Sequence, residues 1–377
     1  MSFGMVAASY LSAVGPDYSG IAPSYNQPTI TTTAVPAAAA TTIAGSAGWL
    51  REKRIGVAEN IPGGSQTSTN APDLTGSTRF AYPGLAAASA EASSPGNYIR
   101  SNYKPGGSSQ NAYWLMTIDL VTDATEIEYR INVAVTNGWF GLVCVDGLRV
   151  DVHPLMITSP PNAGSGAGVK LTFPDSRERR ITVYGLNQAQ GRFGGVAVNA
   201  GATVTKASTP SRTIVVLGDS YVAGSAGTLA VETFAWQLAL KMGADCVVQA
   251  GIGGTGFVTD LSGEPTSSFD GRIADILAMN PAAVIVAGGR NDTASSLQAA
   301  VESLLSSLSS VPERYVIPTA SESSQASVRV AMQAACTAQN VPYIDVAIDA
   351  LEKIGDGIHP TYNGHQALAA DAFARMA

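Results

Sequence analysis

From residue 213 onward, short runs of β-branched and apolar residues alternate with helical patterns, and this alternation restricts the fold more than any other feature. "TIVVL", "DCVVQA", "AAVIVA", "RYVIPTA" and "YIDVA" read as strands. "VETFAWQLALKMG" (closed by Gly243), "SFDGRIADILAMN", "TASSLQAAVESLLSSL", "SVRVAMQAACTAQN" and "YNGHQALAADAFARMA" read as helices. Strands that are apolar at nearly every position have no wet face, so they belong to a parallel sheet covered by helices on both sides. In such a sheet a site is expected beyond the carboxyl ends of the strands.

Residues 81–208 carry a different pattern. "YWLMTIDLV", "EIEYRINVAV", "WFGLVCVDGLRVDV", "GVKLTF", "RRITVYGL" and "GGVAVNAGATVTKA" are short β-rich runs separated by turn residues. Glu126, Glu128 and Arg130 alternate with Ile127, Tyr129 and Ile131, which predicts strands with one buried and one wet face. Asp146–Gly147 predicts a two-residue hairpin, because a type I′ turn needs positive φ at both central positions. Many strands without intervening helices point to an antiparallel β-sandwich of jelly-roll type. "TPSRT", residues 209–213, reads as the linker to the α/β segment.

Residues 1–80 are rich in Ala, Ser, Thr, Gly and Pro and have no clear period, so loops, an extended arm, contacts with another subunit or disorder are expected there. Over the whole chain 45% of residues are hydrophobic and 14% charged, enough apolar material for buried cores and too little charge for a disordered chain. The net charge of −7 and the absence of a basic face beyond Arg51–Arg54 and Arg177–Arg180 argue against nucleic acid as a partner. Met1–Val14 is mildly apolar but Arg51 is the first basic residue, so no Sec leader is expected. No apolar run is long enough for a membrane span. The chain is expected to be soluble and made in the cytoplasm, with release alongside a virus particle as a further route. Cys144, Cys246 and Cys336 are too scattered for a disulfide framework or a cysteine-based zinc site and are expected as small buried hydrophobes.

The chemistry-bearing residues fall where the strand-end rule places them. "TIVVL" ends in Gly218-Asp219-Ser220, "DCVVQA" in Gly251-Ile252-Gly253-Gly254, and "AAVIVA" in Gly288-Gly289-Arg290-Asn291-Asp292, while Asp356-Gly357-Ile358-His359-Pro360 lies near the C-terminus. A serine hydroxyl becomes a good nucleophile when a neighbouring base takes its proton. A histidine does this near neutral pH, and an aspartate three residues away can orient its ring.

These segments, in this order, resemble the SGNH/GDSL hydrolase family, whose blocks carry Ser, Gly, Asn and His in that sequence. The resemblance covers about residues 212–377 and includes the "HPTYNGHQALA" ending. It implies a flavodoxin-like three-layer α/β/α domain over 209–377, with Ser220 as nucleophile and Asp356 and His359 as its partners. It also implies an oxyanion hole made of the Ser220 and Gly254 N–H groups and the Asn291 side-chain amide. Gly251 and Gly253 stay open as alternatives to Gly254, since a one-residue register shift would move the role. By itself Ser220 could simply cap a helix. Asn291 and Asp292 precede a helix, and Asp292 is the expected N-cap. His153 is expected to be structural and His365 to pack on the last helix. No HExxH, His/Asp metal cluster or phosphate loop occurs, so catalysis without metal or cofactor is expected.

A β-sandwich before such a domain is similar to the arrangement of some carbohydrate esterases that remove acetyl groups from polysaccharides. The resemblance therefore implies a serine esterase acting on acyl, chiefly acetyl, esters of a glycan, with 81–208 as an accessory and carbohydrate-binding domain. The Ala/Thr/Ser/Gly arm and the missing leader depart from that precedent. A phage or prophage particle component, attached or oligomerised through residues 1–80, would account for both. The alternatives are a general small-acyl esterase or thioesterase, and a glycan-binding structural particle protein with a vestigial hydrolase domain. Tyr113, Trp114, Trp139 and Phe140 could stack on sugars, although core packing is the commoner use of such aromatics.

Overall fold

The computed structural model describes residues 29–35, 43–46, 79–81, 88–91, 98–101, 116–133, 139–150, 155–157, 166–185, 191–224, 232–261 and 267–376. These fall into two compact units, residues 29–209 and residues 210–376. His153, Tyr113 and Trp114 lie outside the described residues.

The first unit is antiparallel throughout. Its strands are β1 Thr29–Val35, β2 Ala88–Glu91, β3 Tyr98–Ser101, β4 Met116–Thr122, β5 Glu126–Val133 and β6 Trp139–Val145. They continue as β7 Leu148–Arg149, β8 Leu155–Ile157, β9 Gly166–Thr172, β10 Arg179–Gly185, β11 Gly191–Val198 and β12 Val204–Lys206. One sheet has the order β1-β9-β5-β11-β3-β2; the other runs β12-β4-β10-β6-β7, with β8 also paired to β6. Ile127, Tyr129, Val169, Leu171 and Phe193 of the first sheet share one buried cluster with Ile118, Leu120, Val143, Ile181 and Val183 of the second. The two sheets therefore face each other across a common core. Asp146 and Gly147 both have positive φ, 53° and 79°, as the hairpin requires. Cys144 is buried.

Two features of this unit depart from the sequence reading. "TITTTAV" (β1), inside the segment expected to be loop or arm, pairs with β9 along its whole length, from Thr29↔Thr172 to Val35↔Gly166. Its Thr, Ile and Val side chains suit an extended backbone, and local propensity outweighs the low complexity around it. The alternation in β5 holds for Ile127 and Tyr129, but Glu128 is buried as well.

The second unit is built on four parallel strands: β13 Thr213–Gly218, β14 Cys246–Gly251, β15 Ala283–Gly288 and β16 Glu313–Pro318. Their order, β14-β13-β15-β16, is that of a flavodoxin-like sheet, with its reversal point between β13 and β15. Every residue of β14 and β15 is buried, so both faces are covered. The helices are α1 Ser220–Ala223, α2 Phe234–Lys241, α3 Ile273–Ala278 (preceded by a 3₁₀ turn at Asp270–Arg272), α4 Leu297–Ser307, α5 Ala326–Ala338 and α6 Tyr362–Met376. α2 packs on α6, and α4 on α5. Gly243 closes α2 as expected: at φ 80° it donates to Leu240, and Ala244 donates back to Ala239. "YIDVA" forms no full strand; Tyr343 makes a single parallel bridge to Val316. Cys246 and Cys336 are buried.

His365 is buried on α6 and does more than pack. Its Nδ1 accepts the Phe234 N–H at 3.2 Å, satisfying a donor that the first turn of α2 leaves without a helical partner. The ring stacks on Phe234, with centroids 6.3 Å apart. Burial, then the nearby His359, pushes its pKa down to about 3. The unfolded chain therefore binds this proton first, near ~6.5. The stabilisation that depends on neutral His365 is complete above that pH and is lost as pH falls toward about 3. Asp219, pushed up to about 6 chiefly by burial, has the opposite sign, so the readout is a difference between proteins. His365→Asn, which keeps an acceptor but does not titrate, should flatten the fall of melting temperature between about pH 7 and 4. Equal slopes for wild type and variant would contradict this account.

Candidate active site

The site lies at the carboxyl ends of the strands of the second unit. β13 ends at Gly218, and Asp219 then caps the one-turn helix α1, its Oδ1 accepting the Tyr221 N–H at 2.9 Å. Asp219, and not Ser220, is therefore the cap; Ser220 is the first helical residue. β14 ends beside this helix, and a Cβ on Gly251 would collide with the Ala223 backbone, so Gly251 serves close approach. Gly253 faces α1: a Cβ there would lie 3.6 Å from the Ser220 Cβ. Gly254 is exposed at φ 79°, the left-handed conformation that glycine adopts freely.

His359 meets Ser220 from the other side. Its Nε2 is 2.8 Å from Ser220 Oγ, and its Nδ1 is 2.6 Å from Asp356 Oδ2. The second Asp356 oxygen accepts the N–H groups of Ile358 (2.8 Å) and His359 (3.0 Å), so one carboxylate shapes the turn and orients the ring. Burial alone would raise the Asp356 pKa, but the bonds from His359 and Ile358 outweigh it and hold the carboxyl down at about 2. The loop is closed by the Ile354 N–H to the His359 carbonyl at 2.9 Å and by the Tyr221 hydroxyl, which donates to the Ile358 carbonyl at 2.6 Å. Tyr221 thus ties α1 to the His359 loop.

Asn291 follows β15 and donates its amide to the Thr255 carbonyl at 2.9 Å, which places it beside the Gly254 segment. Among the described residues no acceptor takes the Ser220 or Gly254 N–H. Asp292 departs from expectation. It does not cap α4, whose N-cap is Ser296, without a side-chain bond. Instead its buried carboxylate accepts the N–H groups of Phe257 (3.0 Å), Val258 (3.0 Å) and Thr259 (3.2 Å), bracing the loop after Gly254. A Cβ at Gly256 would run into that carboxylate, so the loop fits only with glycine there.

Three participants were not assigned from the sequence. Arg272 is fully buried and donates to the Gly218 carbonyl (2.9 Å), the Ala250 carbonyl (2.6 Å) and Thr255 Oγ1 (2.9 Å). The Thr319 hydroxyl donates to Asp219 Oδ2 at 2.8 Å. Asp219 is pushed up to about 6 by burial, against the lowering effect of the Tyr221 and Thr319 bonds. A lone arginine in a helical pattern and a threonine after a strand carry no motif; the Gly-Asp-Ser triplet was the one available signal, and it was spent on Ser220. Among the described residues no group of histidine, cysteine or acidic side chains is arranged to hold a metal. No helix among them is long and apolar enough to cross a membrane.

Residues 216–367 match the GDSL-like Lipase/Acylhydrolase family. No curated protein matches the chain. Among solved structures, it resembles a family two carbohydrate esterase from Clostridium thermocellum in complex with cellohexaose, at 16% identity and TM-score 0.54, over 70% of this chain and 92% of that one. It resembles a salicylyl-acyltransferase from a tetracycline biosynthetic pathway at 14% identity and TM-score 0.57, over 80% and 96%. An acetyl xylan esterase from the rumen bacterium Butyrivibrio proteoclasticus aligns at 12% identity and TM-score 0.51, over 70% and 90%. At these identities the likeness is one of fold. The family match and the sheet order identify the domain in residues 216–367 as a GDSL-like lipase/acylhydrolase, an ester hydrolase of the SGNH type.

Proposed function

We propose that Ser220, His359 and Asp356 are the catalytic triad of this domain, and that it removes acetyl groups from a polysaccharide through an acyl-serine intermediate. The observation that carries the reading is the unbroken chain of short contacts from Ser220 Oγ to His359 Nε2 (2.8 Å) and from His359 Nδ1 to Asp356 Oδ2 (2.6 Å). His359 takes the Ser220 proton as Oγ attacks the ester carbonyl carbon. The carbonyl π pair moves to oxygen, where the N–H groups of Ser220 and Gly254 and the free amide N–H of Asn291 receive it. Collapse expels the alcohol, protonated by His359, and leaves acyl-Ser220. Water, deprotonated by His359, then releases the acid. Asp356, held at about 2, stays ionised across the working range and keeps the ring oriented.

Gly254 is preferred over Gly251 because Gly251 is used for packing against α1. Gly254 also adjoins Thr255, whose carbonyl holds Asn291. The glycan and acetyl parts of the proposal draw on the fold shared with the carbohydrate esterases. The proposal includes a phage or prophage particle as the setting, with attachment through residues 1–80. A monodisperse monomer whose residues 1–80 are readily cleaved by protease would speak against that setting.

The test is hydrolysis of 4-nitrophenyl acetate beside the octanoate. Wild type should cleave the acetate faster, and Ser220→Ala should lose both activities while keeping its melting temperature. Wild-type turnover in Ser220→Ala would remove the triad assignment, and faster octanoate cleavage would favour a general acyl esterase. Asn291→Ala should lower kcat about 100- to 1,000-fold with little change in KM, because its amide meets charge that develops in the transition state. A rise in KM at constant kcat would instead make Asn291 a ground-state binding group.

A further inference from the structure

Arg290 lies two residues past the carboxyl end of β15 and directly before Asn291; β15 flanks the reversal point of the sheet, the region where ligands of such sheets bind. Its backbone N–H donates to Thr319 Oγ1 at 3.3 Å, and that hydroxyl donates to Asp219 Oδ2 at 2.8 Å, so Arg290 is one hydroxyl removed from the residue before Ser220. Its side chain is held by a constructed clamp. Arg290 Nη1 donates to Gln325 Oε1 at 3.0 Å, and Gln325 Nε2 donates back to the carbonyls of Arg290 (2.8 Å) and Gly289 (3.4 Å). The Ser321 N–H at 3.2 Å completes the hold on Gln325 Oε1.

The clamp is neutral. Partly buried Arg180 and Arg212 and buried Arg329 each meet a carboxylate, respectively Asp119 (2.5 Å), Glu313 (2.8 Å) and Asp345 (2.5 Å), whereas Arg290, like Arg314 on the Leu305 carbonyl, is held by a neutral acceptor. Among the described residues no carboxylate is bonded to Arg290, and its remaining N–H donors have no protein partner. Arg290 shares its neighbourhood with carboxylates: Asp219, Asp356 and Asp349 act on the Tyr221 hydroxyl together with Arg290. An anionic substrate approaching Ser220 would be repelled by those aspartates unless a cation received it. A fixed planar guanidinium with unused donors is suited to a carboxylate.

We propose that Arg290 forms a carboxylate-binding subsite beside the oxyanion site, so that the preferred ester carries a carboxylate close to the scissile bond, as an acylated uronic acid does. The proposal rests on the esterase reading above and names its substrate class. The shared chemistry is the carboxylate; it can sit on the alcohol or on the acyl side of the ester.

The experiment compares wild type, Arg290→Gln and Arg290→Lys on O-acetylated methyl galacturonoside, O-acetylated methyl galactoside, 4-nitrophenyl acetate and 4-nitrophenyl hemisuccinate. Wild type should prefer one anionic ester over its neutral counterpart, the galacturonoside placing the carboxylate on the alcohol and the hemisuccinate on the acyl group. Arg290→Gln should reduce that preference about 10- to 100-fold, mainly through KM, and Arg290→Lys should restore part of it. Free galacturonate should inhibit wild-type cleavage of 4-nitrophenyl acetate more strongly than galactose, and less so at high salt, a readout that needs no variant. Equal losses on neutral and anionic esters in Arg290→Gln would overturn the subsite, as would a wild type with no preference and no galacturonate inhibition. Failure of the esterase reading would register separately: Ser220→Ala would keep turnover, while galacturonate binding by calorimetry would still depend on Arg290.

Discussion

The geometry of the site depends first on the buried guanidinium of Arg272. It binds carbonyls at the carboxyl ends of two neighbouring strands, the last of β13 (Gly218) and the next-to-last of β14 (Ala250), and the hydroxyl of Thr255 in the loop that follows β14. Phe269 lies against its face, 4.9 Å from ring centroid to Cζ. A buried charge is tolerated only where hydrogen bonds satisfy it, and a planar fork of donors has few orientations that satisfy three acceptors at once. The clamp therefore fixes relative positions. Gly218 precedes Asp219 and Ser220, and Thr255 follows Gly254 while its carbonyl receives Asn291. One side chain outside every motif thus sets the spacing among the three segments to which the proposed oxyanion donors belong.

Three aspartates around that clamp do different work because their surroundings differ. Asp292 is buried and spent on three backbone N–H groups, which turns a carboxylate into a loop brace. Asp219 is more enclosed and has fewer donors, the Tyr221 N–H and the Thr319 hydroxyl, so burial prevails and raises its pKa to about 6. For Asp356 burial is again the largest single influence, but the bonds from His359 and Ile358 together outweigh it and its pKa falls to about 2. The balance between burial and donor supply assigns the roles, so residue type alone could not have separated them.

That balance also explains which parts were legible in the sequence. The parallel strands were, because a run such as "AAVIVA" is apolar at each position and its burial follows from composition. The Asp146–Gly147 turn and the Gly243 cap were, because positive φ is a local demand met by few residues. β1 was not, since its pairing with β9 joins residues far apart in the chain and its neighbours dilute its β-branched signal. Asp292 was taken for a helix cap on proximity to α4, whereas its partners lie over thirty residues upstream. Arg272, Arg290 and the acceptor role of His365 have the same character: each is defined by contacts across the fold, and no spacing rule reaches them.

Asp356 and His359 mark the other extreme, a hydrogen-bonded pair, proposed as part of the triad, that is almost wholly local. The three-residue spacing lets one carboxylate oxygen take two turn N–H groups while the other takes the imidazole, so the turn that positions His359 is built by the residue that orients it. The consequence is exposure: the Asp356 side chain is 36% accessible and that of His359 21%. Water screens a charge so placed, and its Coulombic support for a protonated imidazole is weaker than that of a buried carboxylate. The larger part of what Asp356 supplies is therefore orientation, holding Nε2 toward Ser220. In the proposed reaction, stabilisation of the transition-state charge falls instead to the loop after Gly254 and to Asn291, in a region braced by Asp292 and Arg272.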